Sequence, residues 1–255
     1  MPVSALILAA GKGERFGAQV PKPLVRLARR PLILYSLDRF DRHPRIREII
    51  VAVNEHNRAG IERIVRRRRY KTPVHFVRGG SRRQDSVRRG LEVLGTKATV
   101  VVVHDAARPL VTGEMITAVI IHAQRSGAAI TGVRVKATIK RVEGRRWKVE
   151  GGELKTERGR SREGVCFVRE TLERDALIEV QTPQAFRVSL LREAYRRFGR
   201  HNVTDDASLV ERMGEAVRVV EGAYSNIKVT TPEDLATAEV LRKGLRARRD
   251  GLTYV

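Results

Sequence analysis

Short apolar segments alternate with amphipathic segments along most of the chain. The apolar segments predict strands at residues 5–8, 46–53, 74–77, 99–103 and 129–133. Apolar residues at helical spacing predict helices between them, at residues 31–40, 59–69, 82–94 and 113–126. This order predicts an α/β fold: a doubly wound, mostly parallel, Rossmann-like sheet with helices on both faces and ligands at the carboxyl ends of its strands.

The alternation of strands and helices breaks after Val135. Residues 136–179 are charged, punctuated by glycine and only weakly periodic. A helix at 188–198, strands near 216–220 and 226–229, and a closing helix at 232–248 are predicted to follow. We interpret residues 1–255 as a single domain with a protruding arm at about 136–180. The portion 143–164 is rich in Arg, Glu and Gly, which suits either a mobile loop or a lengthened hairpin.

The composition indicates which ligands the protein attracts and which compartment it occupies. The 51 Lys and Arg against 29 Asp and Glu give a formal charge of +22, which attracts anions such as nucleotides, sugar phosphates or nucleic acid. One dense run, residues 66–69, is all arginine and is also explained by a solvated helix end. Cys166 is the only cysteine, which favours a reducing compartment. No apolar run approaches the ~20 residues of a membrane helix and no basic leader precedes one, so we expect a cytoplasmic protein.

The segment at residues 6–24 carries the clearest chemistry. It runs from an apolar strand, through the small residues that follow, into a loop with three glycines, Gly11, Gly13 and Gly17. Backbone N–H groups in such a loop can converge on phosphate oxygens. Arg15 and Lys22 add positive charge. This arrangement suits a nucleoside triphosphate.

Other interpretations of this loop fit less well. A dinucleotide fingerprint needs its third glycine one residue earlier and an acidic residue about twenty positions on. A Walker A loop needs Gly-Lys-Ser/Thr, which is missing. A plain strand-to-helix turn explains the glycines but neither Arg15 nor the stiffened Pro21-Lys22-Pro23 sequence.

Five further blocks follow in order along the chain: residues 79–81 with 85–87, then 104–109, 181–186, 204–208 and 226–230. With the first loop they resemble the nucleotidyltransferases that activate sugar or sugar-alcohol phosphates, and specifically the family of 2-C-methyl-D-erythritol 4-phosphate cytidylyltransferases. The resemblance covers nearly the whole chain apart from the insertion at 143–164.

The resemblance implies transfer of a cytidylyl group from CTP to 2-C-methyl-D-erythritol 4-phosphate, with release of pyrophosphate, in non-mevalonate isoprenoid precursor synthesis. It assigns Arg15 and Lys22 to stabilising the α-phosphate. Lys228 matches a position that meets the second substrate and is counted with them as catalytic. Asp105 is assigned to Mg²⁺, a cation that prefers oxygen ligands.

Nucleotide-binding positions also follow from the match: Ala9, Ala10, Gly11, Gly13, Gly80, Ser81, Ser86, Ala106 and Arg108. Simpler roles remain open for some of them. Ser81 and Ser86 could cap a helix, and Arg108 could form a surface ion pair.

Acceptor-binding positions match at Thr138, Arg174, Thr182 and Thr204. In the family, the arm presents the first two to a neighbouring subunit, which implies a homodimer. Thr204 could instead cap the helix after it, and Thr182 could be a turn residue.

Three other functions fit parts of the sequence. Ribitol 5-phosphate cytidylyltransferase shares the nucleotide blocks and the reaction. A nucleic-acid-binding protein is suggested by the charge alone, but no helix-turn-helix, zinc or RNP pattern supports specific binding, and aromatic residues are only 5% of the chain. A scaffold that has lost activity is the third. The partners expected are therefore CTP, a polyol phosphate and a second copy of the chain, with no membrane and no specific nucleic acid.

Overall fold

The computed structural model describes residues 1–11, 16, 20–144, 147–150, 153–156 and 166–249. The chain divides into two compact units, one formed by Met1–Gly132 with Val180–Val255 and the other by Val133–Glu179. Within the described residues, no helix combines the length and apolar character needed to cross a membrane.

The helices and strands follow the predicted α/β order. The strands are β1 (Val3–Leu8), β2 (Arg26–Leu27), β3 (Arg30–Pro31), β4 (Ile46–Val53), β5 (Val74–Arg78), β6 (Val100–Asp105), β7 (Ala128–Arg134), β8 (Lys140–Gly144), β9 (Trp147–Glu150), β10 (Glu153–Thr156), β11 (Cys166–Thr171), β12 (Ile178–Arg187) and β13 (Arg218–Glu221). The helices are α1 (Leu32–Asp41), α2 (Glu55–Arg68), α3 (Arg83–Glu92), α4 (Gly113–Ser126), α5 (Val188–Phe198), α6 (Ala207–Glu211) and α7 (Pro232–Arg249).

Seven of the described strands form one sheet in the order β13-β7-β12-β6-β1-β4-β5. Strand β1 is parallel to both of its neighbours, β4 and β6, and β5 and β13 also run parallel to the strands they pair with. Strand β12 is antiparallel to β6. The sheet is therefore mostly parallel, as predicted.

Apolar side chains cover both faces of this sheet. On β1, Val3, Ala5 and Ile7 point to one face and pack in the cluster that contains α1, α2 and α4. Leu6 points to the other face, where α3, α5 and α6 pack. Residues alternate between the two clusters because successive side chains of a strand point to opposite faces. Helices on both faces make the fold doubly wound.

One helix start and one predicted strand differ most clearly from the structure. Helix α2 begins at Glu55 rather than 59, because the Asn54 side chain accepts from the backbone N–H of Asn57 at 2.9 Å and caps the helix. The strand predicted at 226–229 is wrong: this segment is irregular, and its apolar Ile227 and Val229 pack in a separate cluster that includes Phe16 and Ala238.

The second unit is built from antiparallel pairs. Strand β8 pairs with β11, and β9 pairs with β10 as a hairpin in which Trp147 faces Thr156 and Glu150 faces Glu153. The described part of the inserted segment therefore has the form of a lengthened hairpin rather than a loop without secondary structure.

Candidate active site

The carboxyl ends of β1, β4, β5 and β6 open onto one cavity of about 1140 Å³. Strand β1 lies at the point where the chain order reverses, since α1 leads to β4 on one side of it and β6 follows on the other. Crevices at such switch points are the ligand sites of open α/β sheets. Leu8 pairs with Asp105 across the end of β1 and β6. Ten of the residues predicted to bind nucleotide, metal or reacting phosphate line the cavity: Ala9, Ala10, Gly11, Lys22, Gly80, Ser81, Ser86, Asp105, Ala106 and Lys228.

The residues just before the glycine loop are held by two asparagines that the sequence analysis did not single out. Asn57 is fully buried, and its Nδ2 donates to the carbonyl oxygen of Ala9 at 2.7 Å. The Nδ2 of Asn54 donates to the carbonyl oxygen of Ala10 at 3.0 Å. The Asn54-x-x-Asn57 spacing after an apolar strand was the available signal, because it predicts a capped helix start beside the loop.

Gly79 and Gly80 allow close packing at the end of β5. A Cβ on Gly79 would lie 2.2 Å from the Cβ of Ala10, so a larger residue would push β5 away from the loop. The backbone N–H of Gly80 donates to Ser86 Oγ at 3.0 Å. Ser81 is exposed, and its hydroxyl donates to Asp85 Oδ2 at 3.2 Å rather than capping α3. The predicted contacts of Ser81 and Ser86 with the base and ribose stay predictions.

A charged centre occupies the floor of the cavity at the end of β6. The carboxylate of Asp105 lies between two cations, with Lys228 Nζ 2.7 Å from Oδ2 and Arg83 Nε 3.4 Å from Oδ1. Burial of Asp105 disfavours its charged form, but the charges of Arg83 and Lys228 outweigh burial and hold its pKa well below the ordinary value. Asp105 is therefore a carboxylate throughout the neutral range.

Arg83 also bridges to a second buried carboxylate. Its Nη1 lies 2.7 Å from Asp206 Oδ2, and Asp206 accepts from the Tyr195 hydroxyl at 2.5 Å. Burial disfavours the charged guanidinium, but Asp206 and Asp105 raise the pKa of Arg83 above its ordinary value. Sequence analysis missed Arg83 and Asp206 because each is one of many charged residues in its segment, and only the fold brings them together.

His104, next to Asp105, has a structural role in the described contacts. Its Nδ1 lies 3.2 Å from Thr182 Oγ1, its Nε2 lies 3.2 Å from the carbonyl oxygen of Arg108, and Thr182 Oγ1 also accepts from the backbone N–H of Asp105 at 3.1 Å. Burial lowers the pKa of His104 to about 4. Thr182 is thus buried under the charged centre rather than placed in the cavity wall.

The irregular segment at 226–229 holds Lys228 in the cavity. The backbone N–H of Val229 donates to the carbonyl oxygen of Ala107 at 2.8 Å. Asn226 is fully buried; its Nδ2 donates to the carbonyl oxygen of Thr182 at 2.9 Å, and its own carbonyl accepts from Arg108 Nη1 at 2.8 Å. Arg108 is therefore buried and bonded to backbone carbonyls, and its predicted nucleotide contact stays a prediction.

Of the five remaining predicted positions, the structure describes three. Arg15 and Gly13 are outside the described residues. Thr204 is exposed just before α6, and the Asp205 carboxylate, not Thr204, accepts from the backbone N–H of Ser208 at 3.2 Å. Thr138 and Arg174 are exposed residues of the second unit, where Arg174 Nη1 donates to the carbonyl oxygen of Lys136 at 3.2 Å.

Comparison with known proteins decides the family. The family model described as 2-C-methyl-D-erythritol 4-phosphate cytidylyltransferase matches residues 3–243. The chain belongs to this family. The resemblance predicted from the sequence blocks is confirmed, and the protein is a nucleotidyltransferase.

Individual relatives carry the same description. The 2-C-methyl-D-erythritol 4-phosphate cytidylyltransferase of Bacillus thuringiensis (strain Al Hakam) is 43% identical over 236 residues, covering 92% of this chain and 95% of the relative. That of Geobacillus thermodenitrificans is 41% identical over 243 residues, covering 94% and 97%. The identity is spread over nearly the full length of both proteins.

Solved structures of cytidylyltransferases match the fold as well. The 4-diphosphocytidyl-2C-methyl-D-erythritol synthase of Anaerococcus prevotii superposes with a TM-score of 0.77 at 30% identity, covering 95% of this chain and 96% of that one. The cytidylyltransferase of Thermus thermophilus gives a TM-score of 0.68 at 33% identity, covering 95% and 100%. The cavity at the end of β1 and β6 therefore belongs to a fold shared with solved members of the cytidylyltransferase family.

Proposed function

We propose that this cavity binds CTP and transfers its cytidylyl group to the phosphate of 2-C-methyl-D-erythritol 4-phosphate. An oxygen of the acceptor phosphate forms a bond to the α-phosphorus of CTP, and the bond from that phosphorus to the bridging oxygen of the β-phosphate breaks. Pyrophosphate leaves with the electron pair. The observation that carries the proposal is the convergence of Gly11, Lys22, Asp105 and Lys228 on one cavity in a chain of this family.

The reaction needs no side-chain base in the cavity. The second pKa of a phosphate monoester is about 6, so the attacking oxygen is mostly deprotonated at neutral pH. The barrier lies in bringing two polyanions into line and in stabilising charge at the α-phosphate. Fixed cations and backbone donors meet both needs.

Two lysines from distant parts of the chain supply positive charge to the cavity. Lys22 opens a 3-10 turn between Pro21 and Pro23, which limit the backbone freedom around it. Lys228 is held by the segment that Asn226 anchors. We propose that both ammonium groups contact the α-phosphate as charge develops there, together with Arg15.

Mg²⁺ fits the residues present. Mg²⁺ is commonly held by one or two carboxylates together with substrate phosphates and water, and Asp105 offers one permanently charged carboxylate in the cavity wall. When bound, the ion would neutralise charge on the triphosphate. Asp105 would hold the ion, and Lys228 Nζ, which lies 2.7 Å from Asp105 Oδ2, would then be available to a phosphate oxygen.

We also propose that the enzyme works as a homodimer in the cytoplasm, with Thr138 and Arg174 of the second unit serving the acceptor bound by a neighbouring subunit. The planar fork of an arginine can take two phosphate oxygens at once. Exposed apolar side chains on β8 and β11 support an interface there, since Val142, Phe167 and Val168 are 51%, 66% and 59% exposed. The single cysteine fits a reducing compartment.

Pyrophosphate release tests the proposed reaction. The purified protein should release pyrophosphate from CTP when Mg²⁺ and 2-C-methyl-D-erythritol 4-phosphate are both present, and not when either is omitted. Replacing the acceptor with ribitol 5-phosphate in the same assay should lower kcat/KM strongly. A folded protein that is inactive with the first acceptor, or equally active with both, would overturn the proposal.

A further inference from the structure

A second groove lies beside the nucleotide cavity, between α3 and α5, and encloses about 610 Å³. Charged side chains dominate its walls: Arg82, Arg88, Arg192, Arg196 and Arg200 against Asp85 and Glu92. Five positive groups against two negative groups give the lining a net positive charge. We call it the arginine groove.

The arginines are arranged by helix geometry. Arg192 and Arg196 lie four residues apart on α5, and Arg200 follows at the same spacing just beyond the end of that helix. Side chains four residues apart lie on one helix face, about 6 Å apart along the axis. Arg88 faces them from α3, one turn from Asp85 and from Glu92. The three arginines at and beyond α5 therefore form one row, and Arg88 of α3 lines the same groove.

The walls of the groove are fixed by a buried glutamine. Gln84, on α3, is 3% exposed, and its Nε2 donates to the carbonyl oxygens of Gly199 at 2.9 Å and of His201 at 2.7 Å. Its Oε1 accepts from the backbone N–H of Val203 at 3.3 Å. Helix α3 is thus tied to the end of α5, and the groove does not need to form when a ligand arrives.

Only part of the positive charge is neutralised. Arg82 forms an ion pair with Asp85 at 2.9 Å, and Arg196 forms one with Glu193 at 2.6 Å. Arg192 Nη2 donates to the carbonyl oxygen of Leu91 at 2.8 Å, which leaves its charge uncompensated. Among the described residues, no carboxylate forms an ion pair with Arg88, Arg192 or Arg200. These three guanidinium groups are the ones available to an anion.

The groove opens toward the nucleotide site, because Arg82 lines both the groove and the cavity. We propose that the arginine groove is a second anion site, which holds polyphosphate groups weakly and raises their concentration at the entrance of the cavity. This inference rests on the proposed function, since the substrates and the pyrophosphate product of that reaction are all phosphate anions. A field of one sign beside a cleft raises association rates and is weakened by salt.

Steady-state kinetics of two matched triple variants test the proposal. Arg88→Gln with Arg192→Gln and Arg200→Gln removes the uncompensated charges of the groove. Arg63→Gln with Arg66→Gln and Arg67→Gln removes three exposed charges from α2, outside the groove. We expect the groove variant to lower kcat/KM for CTP about 3- to 10-fold at roughly 20 mM salt, with kcat unchanged and the loss disappearing near about 0.5 M salt. Equal losses in the two variants, or a loss that persists at high salt, would overturn it.

A binding measurement tests anion binding at the groove independently of catalytic activity. Backbone amides of residues 88, 192 and 200 should shift in a ¹H–¹⁵N NMR titration with inorganic tripolyphosphate, with a midpoint different from that of Gly11. The groove variant should lose the first set of shifts and keep the second. An inactive wild type that still shows the groove shifts would refute the proposed function alone, whereas absent shifts at these amides would refute the groove.

Discussion

Lys228 Nζ lies 2.7 Å from Asp105 Oδ2, so a cation from the segment before α7 neutralises the one carboxylate at the end of β6. Lys228 is 43% exposed on its side chain while Asp105 is 10% exposed, which leaves the ammonium able to swing toward an incoming phosphate and the carboxylate fixed. The ion pair therefore links Asp105, the proposed metal ligand, to Lys228, a proposed catalytic cation.

Removing the ammonium should impair catalysis and leave the fold intact. We expect Lys228→Gln to lower kcat by about 10² to 10³, the loss that follows removal of one preorganised group from a developing charge. Steady-state pyrophosphate release measures it. Lys97→Gln, which removes an exposed lysine elsewhere, should retain wild-type kcat. A kcat within twofold of wild type for Lys228→Gln would exclude Lys228 from the transition state.

Metal dependence should centre on Asp105. EDTA should abolish pyrophosphate release and added Mg²⁺ restore it. Asp105→Asn should require at least about tenfold more Mg²⁺ for half-maximal rate, because the amide carries no charge to hold a hard cation. Glu211→Gln, which changes an exposed carboxylate, serves as the control. An unaltered Mg²⁺ requirement in Asp105→Asn would remove Asp105 as the metal ligand.

Asn226 should act on Lys228 through the backbone. Asn226→Ala removes the donor to the Gln181 side chain at 3.1 Å and to the Thr182 carbonyl at 2.9 Å. Leaving buried acceptors unpaired costs about 1–3 kcal/mol, measurable by urea unfolding. We also expect kcat to fall about tenfold, since the segment that carries Lys228 loses its anchor.

The exposed Asn202→Ala variant should change neither the unfolding free energy nor kcat. Loss of stability with kcat preserved in Asn226→Ala would restrict Asn226 to a structural role.

Sequence pattern predicted the parallel strands because each is a run of apolar residues with helices on either side. Strand β12 escaped prediction, since Pro183 lies inside it and a proline in a run of residues argues against a central strand. The fold gives each amide nitrogen an acceptor: Gln181 Nε2 donates to the Ala223 carbonyl at 2.9 Å and Gln184 Nε2 to Asp205 Oδ2 at 2.8 Å. Such partners are 21 to 42 residues away, beyond any local pattern.

The candidate site likewise combines features that local sequence predicts with features that depend on contacts between distant residues. The position of Gly11 and Asp105 at the cavity could be predicted because each follows or ends a buried strand. The bridge from Arg83 to Asp206 spans 123 residues, so neither residue stood out among the many charged positions of the chain.

Dimer formation should depend on the exposed apolar surface of the second unit. Phe167→Asp places a charge where the proposed partner subunit packs, and should shift sedimentation velocity profiles from dimer toward monomer. Because Arg174 would then be lost from the neighbouring site, KM for the acceptor should rise while KM for CTP stays near wild type. Val240→Asp, at a residue 69% exposed on α7, is the matched control. A dimeric Phe167→Asp protein would refute the interface.

Acid should destabilise the protein through His43, which is 6% exposed and lies away from the cavity. Burial and the nearby charge of Arg45 lower its pKa from 6.5, and its Nδ1 accepts from the backbone N–H of Arg45 at 3.3 Å, leaving Nε2 to donate to Thr117 Oγ1 at 2.9 Å. The unfolded chain therefore binds a proton at a higher pH than the folded chain, so the stabilisation is complete above pH 6.5 and is lost as pH falls below it. The slope cannot exceed about 1.4 kcal/mol per pH unit for one proton. Urea unfolding between about pH 5 and 8 should show stability falling as the pH is lowered in wild type, to which His43 and the buried His104 both contribute, and a smaller fall in His43→Gln. Identical slopes in the two proteins would show that His43 titrates alike in the folded and unfolded states.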